Sequence, residues 1–170
     1  FAASAMSMAS AQTVDPAHRW DAWVGCWSAT PSSGTPLSEI SAMVSLPRIC
    51  VTRVNAGVAA EIATVDSGKV ISRDTIVVDG ADHPISLQGC SGTKKAQWSA
   101  DGERIFMQSH ITCPGDLKRN TTQILAITPS GEWLDVQTAS SGTNTGVRVT
   151  RYRDAGASTA EVGNIPLSGS

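Results

Sequence analysis

The sequence predicts an all-β protein: an eight- or nine-stranded antiparallel meander, closed as a barrel or stacked as a sandwich. Three observations carry this. Fifteen glycines and eight prolines punctuate the 170 residues at short intervals. Between them run segments rich in Thr, Val and Ile, several alternating apolar with polar residues as a half-buried strand does. No segment keeps a helical period beyond two turns. A single open sheet would leave one apolar face in water, so closure or stacking is required.

A first strand is read over 23–30 (WVGCWSAT), ending in a Pro/Ser/Gly loop over 31–38. A second covers 48–55 and breaks at Ala56-Gly57. Strands over 58–65 and 69–78 flank Asp66-Ser67-Gly68, a tight hairpin turn. Residues 84–87 form at most a short extended piece after Asp79-Gly80. Strands over 93–100 and 103–112 flank Asp101-Gly102, and strands over 120–128 and 132–139 flank Pro129-Ser130-Gly131. A last strand over 147–153 closes the domain, so the organisation is an apolar tail (1–14), a β-domain (15–153) and an extended C-terminal arm (154–170).

Alternation assigns faces. Ile105, Met107 and Ile111 share one face against Arg104, Phe106, Gln108 and His110. Val147 and Val149 share a face that Arg151 and Arg153 also occupy. This predicts one arginine lying over a tryptophan to close the barrel and another meeting an acidic partner.

Four cysteines, Cys26, Cys50, Cys90 and Cys113, lack the close pairs of a zinc site, so two disulfides in an oxidising compartment are expected. A two-residue loop at Asp101-Gly102 pairs Ala100 with Glu103. The same register carried along the ladder brings Cys90 opposite Cys113, at a hydrogen-bonded position unless the ladder is bulged. Cys26 and Cys50 are left to join the first two strands. The 1–12 stretch, with Ala9-Ser10-Ala11, has the character of the tail of a secretory signal or membrane anchor.

Several function classes are excluded or disfavoured. Thirteen basic against 15 acidic residues give a net charge of −2, without the electrostatic footprint of a nucleic-acid binder. Charged residues are only 16%, against about 25% in an average domain. No GxSxG or calcium loop is present. His18, His83 and His110 and the turn aspartates fit surface and capping roles. No enzyme activity, metal or cofactor is therefore expected. Five tryptophans against two phenylalanines and one tyrosine are unusual. Trp20, Trp23 and Trp27 suit a core beneath a barrel mouth, while Trp20 and Trp23 also suit an interface anchor.

Gly25-Cys26-Trp27, with Arg151 or Arg153 on the last strand, resembles the G-x-W plus arginine signature of lipocalin-like barrels. The resemblance implies an arginine packed across the tryptophan at the closed end. The run 14–27 (VDPAHRWDAWVGCW), with 97–106 (QWSADGERIF) and 131–137 (GEWLDVQ), is similar to exported bacterial domains. Those come after a membrane-spanning helix, often beyond an anti-sigma-factor zinc module, which implies a periplasmic, membrane-associated setting. Such an architecture is also similar to the extrinsic RC-S-type subunits of bacterial photosynthetic reaction-centre–light-harvesting complexes.

The leading expectation is thus a structural subunit clamping a membrane complex at its periplasmic face, the membrane surface being a further contact. Phe1, Met6, Met8, Trp20, Trp23, Ile165 and Leu167 are its expected interface residues. The alternative is a lipocalin-like binder of a small apolar ligand, needing a cavity lined by Val, Ile, Met and Trp.

Overall fold

The computed structural model describes residues 15, 18–30, 47–87 and 89–156. Ten antiparallel strands form one sheet: β1 (Gly25–Ala29), β2 (Arg48–Val54), β3 (Ala59–Asp66), β4 (Lys69–Val77), β5 (Asp82–Leu87), β6 (Cys90–Trp98), β7 (Arg104–Cys113), β8 (Leu117–Ile127), β9 (Trp133–Ser141) and β10 (Asn144–Asp154). The strand beyond the eight or nine expected is β5. Pro84 argues against a full strand there, yet β5 tolerates it because it is an edge strand.

Neighbours in the sheet are neighbours in sequence, except that β1 pairs with β10 (order β4-β3-β2-β1-β10-β9-β8-β7-β6-β5). The sheet curls until its ends approach without joining in a ladder. Gly80 N–H donates to Ala96 C=O (2.9 Å), and Lys94 Nζ reaches both carboxylate oxygens of Asp74 (2.7 and 2.8 Å). The architecture is a curled, barrel-like sheet, but its closure is a side-chain seam rather than the continuous hydrogen-bonded ring of a closed barrel.

Turn chemistry sets the registers. Ser67 and Gly68, both at positive φ, make the two-residue turn that pairs Asp66 with Lys69. In the β6–β7 hairpin, Ser99 N–H donates to Arg104 C=O, and Gly102 sits at φ +74°. The ladder from Trp98↔Ile105 to Ser91↔Thr112 has the register read from Asp101-Gly102. Its innermost bond, however, joins Ser99 to Arg104 rather than Ala100 to Glu103. That moves the hydrogen-bonding phase by one residue. Cys90 and Cys113 then lie at the closely spaced, non-hydrogen-bonded positions, with Cα atoms 4.1 Å apart and a disulfide between them. Cys26 and Cys50, direct partners across β1 and β2, form the second disulfide, Cα–Cα 4.0 Å.

The concave face carries the main core: Trp20, Trp23, Trp27, Val51, Ala60, Ile76, Ala96, Ile105, Leu125, Trp133 and Tyr152. On the opposite face Cys26, Cys50, Ala63, Val65 and Val70 form a smaller buried cluster, with Ala155 packed against it.

Candidate functional site

The concave face divides into two halves along the strands. At one end, where β6 meets β7 and β8 meets β9, aromatic rings fill the interior. Trp133 meets Trp23, Trp27 and Tyr152 with ring centroids 5.8, 5.9 and 5.0 Å apart, and Trp20 lies edge-on to Trp98 at 5.2 Å. Trp27 Nε1 donates to Trp23 C=O (2.9 Å), fixing the turn at 20–23 under the sheet. Trp20 and Trp23, 1% and 3% exposed, belong to this core and present no surface to a partner. Their core reading prevails because the turn over 18–23 folds both rings inward across the end of the sheet.

The arginine expectation is also corrected. Tyr152, not an arginine, faces Trp133 from β10. Arg151 and Arg153 point outward with Val147 and Val149 and bridge to Glu132 at 3.6 and 3.1 Å. The acidic partner expected for one of them therefore serves both. Alternation groups these residues correctly, but the inward face of β10 is the Arg148, Thr150, Tyr152 face.

Toward the other end the interior opens. A cavity of about 620 Å³ is lined by Ser72, Asp74, Ile85, Leu87, Lys94, Met107, Ser109, Thr121, Gln123 and Gln137, among others. A smaller recess of about 280 Å³ at the seam shares Asp74, Ile85, Lys94 and Met107 with it. Strand pairing builds one wall as a row across four strands: Met107, Gln123, Gln137 and Arg148 are successive direct partners. Arg148 Nη2 donates to Gln137 Oε1 (2.9 Å). One step nearer the tryptophans, Asp135 is the buried charged residue among those described, 6% exposed. Its Oδ1 accepts from Gln123 Nε2 (2.8 Å). Burial pushes its carboxyl above the ordinary carboxylate value, against the lowering effects of that hydrogen bond and of Arg148.

Asp135, Gln123 and Gln137 are not among the residues that sequence reasoning singles out. The available clue is period two after a core tryptophan: Trp133, Asp135 and Gln137 must share a face. The cavities carry the Val, Ile and Met expected for an apolar ligand (Val77, Ile85, Met107), but the tryptophans are consumed in the core and the lining also holds amides, hydroxyls and the charged Asp74 and Lys94.

The histidines hold surface partners: His18 with Asp21 (2.9 Å), His83 with Asp79 (3.0 Å) and His110 with Asn120 (2.8 Å). An outer groove of about 790 Å³ lies between the 18–23 turn and the 102–104 and 126–129 segments. Two of its charges are already matched, Asp21 with Arg53 and Arg104 with Asp101. Among the described residues no cluster of His, Cys, Asp and Glu is arranged to hold a metal ion, and no helix is long and apolar enough to cross a membrane. Phe1, Met6, Met8, Ile165 and Leu167 lie outside the described residues.

No protein-family model matches the chain, and no curated protein does. Among solved structures, secretory abundant heat soluble protein 4 from Ramazzottius varieornatus aligns at 14% identity, covering 78% of this chain and 94% of that one, with a TM-score of 0.46. A further secretory abundant heat soluble protein from the same organism aligns at 11% identity, covering 79% and 96%, with a TM-score of 0.47. Likenesses this distant do not indicate what the chain binds.

Proposed function

We propose that this protein binds a small amphipathic molecule inside its curled sheet and turns nothing over. The supporting observation is the open cavity of about 620 Å³ above a packed tryptophan floor, a size typical of small-molecule sites. Ile85, Leu87 and Met107 offer apolar contact, and Gln123 and Gln137 offer hydrogen bonds to a head group. The two disulfides support an extracellular or periplasmic setting.

Titration of the full chain with Nile red, a neutral apolar dye, tests this. Saturable one-to-one binding with a blue-shifted emission is expected. Met107→Trp, which fills the cavity with an indole, should weaken binding about tenfold or more while the chain stays folded. Absence of saturable binding, or binding indifferent to the tryptophan, overturns the proposal.

A second reading, the extrinsic subunit of a membrane complex, is favoured by one outward feature. Phe106, Ile124, Val136 and Val149 are successive cross-strand partners on the convex face of β7–β10, with Val149 53% and neighbouring Val147 69% exposed. Density-gradient separation of mildly solubilised source membranes tests it. Co-migration with a large complex, pigmented if photosynthetic, supports the subunit reading, and recovery as a free monomer removes it.

A further inference from the structure

We propose that Asp135 is the recognition group for a protonated amine, so that the ligand of the interior cavity is a cationic amphiphile. This rests on the cavity reading above and specifies its ligand class.

Asp135 is buried, charged and, among the described residues, without an ion-pair partner. Its single hydrogen bond comes from a neutral amide, Gln123 Nε2, and its second oxygen accepts none from the described residues. Its ladder partners, Leu125 and Thr150, do not supply one. Arg148 is near enough to be felt electrostatically, but its hydrogen bond goes to Gln137 and it lies exposed to solvent. An ionised carboxylate held this way is unfavourable unless a cation compensates it.

The surroundings are shaped for an ammonium group. Asp135 and Gln137 alternate on the inward face of β9, and Gln123 is the direct partner of Gln137 on β8. Gln123 spends an amide N–H on Asp135, its carbonyl oxygen taking no hydrogen bond from the described residues, and Gln137 Oε1 keeps a second lone pair beside the Arg148 bond. Gln123 and Gln137 line the cavity, and Asp135 stands one position behind them on the same inward face, bonded to Gln123; together they offer three acceptors for the three N–H donors of a primary ammonium. The interior cations are less suited to hold an anion. Lys94 is engaged by both oxygens of Asp74, and Arg148 is exposed to solvent and bonded to Gln137. Buried charge is screened less than exposed charge, so Asp135 dominates the choice of head group.

Displacement of Nile red from the full chain at neutral pH by decylamine, decanol and decanoate tests the assignment, because the three share a tail and differ in the head. Decylamine should displace the dye at about tenfold lower concentration than decanol or decanoate, the worth of one charged hydrogen bond. Asp135→Asn should bring decylamine to within about threefold of decanol. Gln123→Met, which removes one acceptor and keeps the carboxylate, should reduce the preference part way, and it reads the same property if the asparagine variant does not fold. Equal or better displacement by decanoate, or a preference for the amine that survives both substitutions, overturns this assignment while leaving the cavity intact. Failure of the dye to bind at all is instead the failure of the cavity reading.

Discussion

The two halves of the concave face lie on the same strands, yet they are built on opposite rules. Around Trp133 every inward position is filled by a ring or an aliphatic chain, and contact area supplies the stability. Around Gln123 and Gln137 the inward positions are amides, hydroxyls and ions, and a cavity remains. Each strand changes character along its length: Ile105 to Ser109 on β7, Leu125 to Thr121 on β8, Trp133 to Gln137 on β9, Tyr152 to Arg148 on β10. One half holds the fold, which frees the other to carry residues chosen for something else.

Substitutions sharpen this contrast, beginning with the largest effect. Trp133→Ala removes a ring touched by Trp23, Trp27 and Tyr152 and should cost about 3–5 kcal/mol in urea unfolding, while Met107→Ala in the open half should cost about 1–2 kcal/mol. Equal losses would erase the division.

The disulfides come next. They close segments of similar separation, 24 and 23 residues, so chain entropy alone assigns each about 3 kcal/mol. Cys26–Cys50 is packed into the smaller buried cluster, whereas Cys90–Cys113 ties the rim of the open half. Paired alanine replacement should therefore destabilise more at Cys26–Cys50, as read from urea midpoints.

The third test is pH. The folded-state proton affinity of Asp135 is raised, so the folded protein binds that proton more tightly than the unfolded chain. This contribution favours folding at acid pH and is lost as pH rises through the window between the ordinary carboxylate value and the raised one. Gln123, Arg148 and Tyr152 surround the group. Asp135→Asn should flatten that part of the pH profile of unfolding, and an unchanged profile would remove Asp135 as its source. The smallest effect belongs to the seam. Lys94→Gln loses an ion pair whose partner Asp74 is largely exposed, costs less than about 1 kcal/mol, and should show mainly as faster amide exchange at Gly80.

Sequence reasoning reaches the meander, the Cys90–Cys113 pairing and the shared face of Ile105, Met107 and Ile111, because each is set by local turn chemistry or period two, and Cys26–Cys50 then follows as the remaining pair. It misses β5, whose proline is harmless only at an edge, and edges are a property of the assembled sheet. It misjudges which face of β10 is inward, since Val147 and Val149 look like core until Phe106, Ile124 and Val136 line up beside them on the convex side. The candidate site is hidden for a related reason. Asp135 and Gln137 look like ordinary solvent-facing residues, and only the assembled concavity turns them inward.

The seam between β4 and the β5–β6 edge has a mechanical consequence. A fully hydrogen-bonded cylinder has a fixed circumference, and widening it requires breaking a ladder. This sheet is a split ring: among the described residues the Lys94–Asp74 ion pair and the Gly80 N–H to Ala96 C=O bond hold the cut, beside the packing of Ile76 and Ala96 in the core. Widening this ring along β4 would open none of the nine ladders that set its curvature.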